Sequence, residues 1–167
     1  MRKIVDIPNI QNVGAGQTAI IQFPLGLTYD KVLIDYSAST SLSLSQIKNI
    51  KVNVNGKSIQ EFTSGDELNR LNMFYGRPDA ATNQILVVNF LREYLNRLED
   101  KRITALGTKD VASFTITFDI DSGADTPVID VKAIQSAAEP LNMVSKIKQY
   151  PRNFGTSGEQ EITSIPV

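Results

Sequence analysis

The sequence predicts an all-β sandwich of about eight short antiparallel strands with one inserted helix. Three observations predict it. Apolar residues recur with period two along most of the 167-residue chain, the repeat of a half-buried strand. Turn-forming clusters such as Pro24-Leu25-Gly26 and Asn55-Gly56 separate those runs. A single window, around residues 66–75, has clear helical spacing instead.

Residues 17–23 read as the first core strand, closed by Pro24-Leu25-Gly26. Residues 31–36 form the next, followed by a Ser-rich loop over 37–45. Residues 50–54 and 58–62 meet through Asn55-Gly56, two residues that tolerate positive φ and so suit a tight hairpin. Ser64-Gly65-Asp66-Glu67 has the character of a helix start, and Leu68, Leu71 and Phe74 or Tyr75 would form its buried stripe. Gly76-Arg77-Pro78 should end that helix. Residues 85–90 return to strand. Leu91, Tyr94, Leu95 and Leu98 have helical spacing broken by charges, which leaves a short helix and a turn-rich loop equally open. Residues 113–121 alternate cleanly, 128–134 continue the pattern, and 142–148 fit one more edge strand. The expected core includes Ile20, Val52, Val54, Phe114, Ile116 and Phe118. Residues 1–149 therefore form one domain. Residues 150–167, with Pro151, Gly155, Gly158 and Pro166 at close intervals, read as a connector lying outside its core.

Composition narrows the function. A chain with 41% hydrophobic and 21% charged residues can build a full core, and its composition is that of neither a disordered nor a membrane-like chain. The net charge of −1 argues against nucleic acid as a main partner. There is no Cys, no His and no Trp. The first absence removes disulfides and thiolate metal sites, and the second removes the usual general base and the commonest transition-metal ligand. No enzyme is expected. No apolar run has the length of a spanning helix, and Asp6 and Pro8 interrupt anything like a signal peptide, so a soluble chain made in a cell's cytoplasm is expected.

Three motifs have a chemical reading and a plain one. Gly14-Ala15-Gly16-Gln17-Thr18-Ala19 fits a loose dinucleotide fingerprint, but Pro8-Asn9 precedes it and β-branched residues follow, so a turn before the first core strand is expected. Asp119, Asp121 and Asp125 gather around Gly123 and could offer oxygen ligands to Ca²⁺, although Ala124 and Asp130 stand where an EF-hand needs Gly and Glu. The plain alternative is a solvated strand end with turn-forming Asp. Lys146, Lys148 and Arg152 interleave with Tyr150 and Phe154, a pattern that can grip single-stranded nucleic acid or a lipid surface, and equally one of a solvated linker.

Three longer stretches jointly carry a family resemblance. The first runs from Ile7-Pro8-Asn9-Ile10 through Ala15-Gly16 to Pro24-Leu25-Gly26-Leu27-Thr28-Tyr29. The second is Ser45-Gln46-Ile47-Lys48-Asn49-Ile50-Lys51-Val52 with Asn55-Gly56, and the third is Ala105-Leu106-Gly107-Thr108 followed by Phe118-Asp119-Ile120-Asp121. In order and spacing, down to Arg152-Asn153-Phe154, they resemble the N-terminal domain of corticovirus-type major capsid proteins. Those are coats of icosahedral double-stranded-DNA phages with an internal membrane. The resemblance implies a jelly roll, and a structural coat protein of the virion that acts by lateral self-association. It implies a homotrimeric capsomer with a pseudo-hexagonal outline, on the plan of adenovirus hexon, with neighbouring capsomers as further partners. Family members carry two jelly rolls, and this chain has room for one. A fragment or a single-jelly-roll relative is expected, with 150–167 leading toward the second barrel and its basic start facing a neighbour or the internal membrane. Loops 37–45 and 91–101 are the expected contact segments. The rival reading is a binding module, such as a carbohydrate- or receptor-binding jelly roll of a spike, for which the aromatic content is low.

Overall fold

A computed structural model describes residues 2–150 of the chain. The strands are β1 (Lys3–Asp6), β2 (Ile10–Gln11), β3 (Thr18–Gln22), β4 (Thr28–Asp35), β5 (Ile47–Val54), β6 (Lys57–Ser64), β7 (Ile85–Asn89), β8 (Leu106–Gly107), β9 (Phe114–Ile120) and β10 (Asp130–Ser136). Three short helices interrupt them: α1 (Gly65–Phe74), α2 (Ala80–Asn83) and α3 (Leu98–Arg102), with a 3₁₀ turn at Leu44–Gln46. One sheet has the order β1-β10-β4-β7, with β8 beside β4, and the other has the order β2-β3-β9-β5-β6. All their strand pairs are antiparallel. Without the two-residue strands β2 and β8, each layer has four strands and the chain crosses repeatedly between layers. That is a jelly roll.

The core lies between the layers, and the pleat builds it. In β9, Phe114, Ile116, Phe118 and Ile120 are buried while the residues between them are half-buried on the outer face. Val52 and Val54 join them from β5. At one end of the sandwich the rings of Phe23 and Phe114 stack at 4.3 Å, and Tyr29 meets Phe114 edge-on at 5.0 Å. Burial pushes the Tyr29 hydroxyl up to about 12.

Four expectations need correction. Ile20 is half-buried on the outer face, and Ala19 and Ile21 take the core positions instead. The pairing of Ile21 with Ile116 sets that register, and a strand flanked by two apolar neighbours does not reveal it alone. The last strand runs over Asp130–Ser136, later than 128–134, because 121–129 closes a turn. Residues 142–148 form no strand; Ile147 makes an isolated parallel bridge to Gln60 on the β6 edge. The helical content exceeds one helix, since α2, α3 and the 3₁₀ turn are stabilised within their loops. The expectation that 150–167 is a connector falls, beyond Tyr150, outside the described residues.

Topology sorts the loops into two ends. One end carries residues 7–17, 36–46, 65–84 and 121–129, cross-linked by Gly16 N–H to Ile120 O and Asp121 N–H to Gln46 O. The other carries 23–27, the Asn55-Gly56 hairpin and 90–113, where Asn55 N–H reaches Ser113 O. The Ser-rich loop is no free flap. Leu42 and Leu44 within it are buried, so excising all of 37–45 would remove core side chains along with surface.

Helix α1 closes the open side between the β6 and β7 edges. Ser64 caps it, its Oγ accepting from Glu67 N–H. Its inward face differs from the expected stripe: Leu68, Asn69 and Asn72 are buried, Leu71 is half-buried, and Phe74 is 82% exposed. The asparagines hold polar backbone. Asn72 donates to Val87 O on β7 at 2.8 Å, and Asn69 accepts from Ala80 N–H at 2.9 Å. Among the described residues no helix is long and apolar enough to cross a membrane.

Candidate association surfaces

The three candidate calcium ligands sit on and just after β9, but each is occupied differently. Asp119 accepts from Thr18 Oγ1 at 2.7 Å and Asn49 Nδ2 at 2.7 Å, which hold its carboxyl below the usual range. Asp121 takes a hydrogen bond from Lys48 Nζ at 2.5 Å and one from Gly123 N–H at 2.8 Å, with the same direction of shift. Asp125 accepts from its neighbour Thr126. Among the described residues no three His, Cys, Asp or Glu side chains come together as a metal cage. The bonds of Asp119 tie β3, β5 and β9 together across the outer face of their sheet. A cation here must first displace Lys48. We expect millimolar Ca²⁺ and chelator to give the same Tm, since only a ligand bound to the folded state raises it. A rise in Ca²⁺ would show that the loop rearranges around the ion.

The glycine motif is a turn. Gly16 has φ +71° and a strand follows it, so no helix N-terminus aims amides at a phosphate. The basic-aromatic segment lies along the β6 edge. Ile147 exchanges backbone hydrogen bonds with Ile59 and Glu61 at 2.9 Å, and Lys148 Nζ reaches Glu61 Oε1 at 2.8 Å. Lys148 holds the Glu61 carboxyl below its usual range. This segment covers an edge strand that would otherwise expose unpaired backbone. Lys146 and Tyr150 are exposed, and Arg152 and Phe154 lie outside the described residues.

The most prominent apolar surface is where α1 ends. Phe74 and Tyr75 meet edge-to-face at 5.4 Å, Tyr75 stacks on Tyr94 at 5.1 Å, and the Arg77 guanidinium lies 5.5 Å from the Tyr75 ring. Phe74, Tyr75, Tyr94 and, in α3, Leu98 are all exposed. A cleft of about 330 Å³ opens beside them, with Asn89, Arg92 and Lys146 among its lining. Glu93 organises its rim, taking Lys31, Arg77 Nε at 3.1 Å and Asn89 Nδ2 at 3.1 Å. Burial alone would push the Glu93 carboxyl up, but the two cations outweigh it and hold it below the usual glutamate range. The 91–101 segment was expected at the surface, yet its pairing with α1 was not legible. Tyr94 is too far in sequence from Phe74 and Tyr75 for any local period to join them.

Loop 91–105 is anchored on the outer side of the first sheet. The β4–β10 register skips Asp30, a bulge that turns its side chain away from the core. There Asp30 is fully buried, with Arg2 Nε 2.8 Å from Oδ2 and Ser136 Oγ 3.2 Å from Oδ1. Arg102, at the end of α3, bonds Ser136 and Glu139 at 2.8 and 3.2 Å. No sequence signal pointed to Asp30.

Comparison with known proteins gives a consistent picture. Residues 4–137 match the model of the viral coat protein P2 N-terminal domain family. The chain is 28% identical, over 171 aligned positions, to the major capsid protein P2 of Pseudoalteromonas phage PM2, covering 99% of this chain and 61% of the relative. The crystal structure of the major capsid protein P2 from bacteriophage PM2 superposes with a TM-score of 0.76 at 30% identity, over 83% of this chain and 52% of that one. The chain thus spans about half to three-fifths of the length of the proteins it matches.

Proposed function

Because this chain belongs to the family of viral coat protein P2 N-terminal domains, we propose that it is a structural building block of an icosahedral bacteriophage capsid shell. It resides in the virion after synthesis in the host cytoplasm, and it acts by lateral self-association rather than by catalysis. The observation that carries this reading is agreement of family match and fold over the same jelly roll. The working unit in this reading is a homotrimeric capsomer contacting neighbouring capsomers. A second jelly roll completes the subunit, residues 150–167 connect toward it, and Lys146, Lys148 and Arg152 at the start of that connector face a neighbouring subunit or an internal membrane. No specific nucleic acid partner is assigned.

The exposed ring cluster of Phe74, Tyr75 and Tyr94 is the surface best suited to a subunit contact, since aromatic side chains supply much area at low entropic cost. Light scattering during size-exclusion chromatography tests the reading: trimers, weakened by Phe74→Ser and by Tyr94→Ser at unchanged Tm, are expected. The same stacked tyrosines beside a cleft also favour a second reading, a carbohydrate-binding module. A monomer that retains a glycan on an array would overturn the coat reading in its favour.

A further inference from the structure

The cleft beside the ring cluster has charge and polarity that the fold leaves unused. No Asp or Glu lines it, whereas Arg77, Arg92 and Lys146 do. Arg77 is already engaged, by Glu93 at 3.1 Å and by Asn72 Oδ1 at 2.6 Å, so it is set aside. Arg92 and Lys146 differ from it: among the described residues neither has a carboxylate partner. A cleft lined by one sign of charge favours an anion. Gln60, on β6, also lines the cleft although it is only 3% exposed. Its Nε2 reaches Ser145 O at 3.5 Å, and its Oε1 accepts no hydrogen bond among the described residues. A buried acceptor of this kind calls for a donor, which a bare anion cannot supply and a hydroxyl can. Leu71, Phe90 and Ile147 add apolar wall.

We infer that this cleft binds an acidic saccharide, a sugar ring that carries a carboxylate. The inference deepens the carbohydrate reading of the cleft and rests on it for the sugar. It makes no demand on oligomeric state, so the coat reading stands or falls separately. Three needs meet in this one ligand class. The carboxylate pairs with Arg92 and Lys146, a ring hydroxyl donates to Gln60 Oε1, and the C–H face of the ring lies on the apolar wall. A volume of about 330 Å³, at the small end for ligand clefts, suits a single ring. An acidic peptide also carries carboxylates and N–H donors, and it is the nearest competitor. Extended peptides are held through main-chain bonds to a free strand edge. Here the edges are in use: Ile147 takes Ile59 O and Glu61 N–H on β6, and Asn72 takes Val87 O on β7. An inorganic anion would satisfy the two cations and leave Gln60 Oε1 without a donor.

The experiment is an NMR titration of the ¹⁵N-labelled full chain with methyl glucuronide. Methyl glucoside, inorganic phosphate and a capped glutamate tripeptide are run beside it. The expected result is saturable shift changes around residues 60, 92 and 146, with glucuronide bound about tenfold or more tighter than each of the other three. Arg92→Gln and Lys146→Gln should each weaken it about tenfold, and Lys132→Gln, on the opposite sheet, should not. Gln60→Leu, verified by circular dichroism and Tm, should weaken glucuronide and leave phosphate as it was. Glucoside bound as tightly as glucuronide overturns the acidic class and leaves the carbohydrate reading standing. Phosphate or the peptide bound as tightly as glucuronide overturns the sugar. Saturable binding of neither sugar overturns this inference and the carbohydrate reading together, with the coat reading untouched.

Discussion

Phe114→Ala is expected to cost roughly 3–5 kcal/mol of folding stability, the range for emptying a buried aromatic site. Phe114 is 2% exposed, and three other rings, Phe23, Tyr29 and Phe90, lie with centroids 4.3, 5.0 and 5.9 Å from its own. Tyr29 lies in β4, while Phe23 and Phe90 each follow directly on a strand and are tied to a neighbouring one by Phe23 N–H to Phe114 O and Phe90 N–H to Asp30 O, both at 3.1 Å, so the partners cannot readily collapse into the void. Aromatic pair geometry adds to the simple transfer loss. Against a typical domain stability of about 5–15 kcal/mol, such a loss leaves the variant near its folding threshold. Urea denaturation compared with the parent chain gives the number, and Phe114→Leu, which keeps most of the volume, should lose clearly less. A loss below about 1 kcal/mol for Phe114→Ala would mean that the four-ring cluster does not exist as described.

What was legible in the sequence is what local chemistry dictates. The Asn55-Gly56 hairpin forms with φ of +51° and +73°, because those two residues reach that region at little cost. The β9 alternation was read correctly because apolar residues occupy one parity only. Strand β3 shows the limit: Ala19-Ile20-Ile21 contains apolar residues of both parities, and only pairing with β9 decides which face is buried. The inward face of α1 was misread for a different reason. Asn69 and Asn72 look like solvent residues, and their burial depends on β7 and α2, which lie later in the chain.

The candidate surfaces were less legible than the fold. A carboxylate triad after β9 suggests a cation, yet Lys48, Thr18 and Asn49 arrive from neighbouring strands and use two of those carboxylates as cross-strand ties. The bulge that turns Asp30 outward is visible only as a skipped register position. Association surfaces are properties of several strands at once, whereas a hairpin is a property of one turn.

Gly107→Ala is the substitution expected to be most damaging relative to its size. Gly107, in β8, is buried, and a Cβ built there lies 2.1 Å from Pro140 O and 2.5 Å from Glu139 O. Both are backbone atoms, so no side-chain rotation relieves the clash. Its φ is not in the left-handed region, so lack of space alone excludes alanine here. Relief requires either β8 to leave β4, where Gly107 pairs with Thr28, or the 139–140 backbone to move outward. The second route breaks Lys109 N–H to Glu139 O at 3.2 Å and strains the Leu141 N–H bond to Asp110 at 2.6 Å. It thereby loosens the chain that runs on to cover the β6 edge. Overpacking of this kind costs about 1–3 kcal/mol or more. The loss should be local first: hydrogen exchange over residues 137–150 rises at least tenfold while β9 amides stay protected. Gly56→Ala is the contrast, since nothing lies within 4 Å of its Cβ and only its positive φ resists. That change should cost about 1–2 kcal/mol and leave exchange over 137–150 untouched. Equal exchange profiles for Gly107→Ala and the parent chain would show that the 139–140 backbone does not sit over β8, and the covering of the β6 edge would then need another anchor.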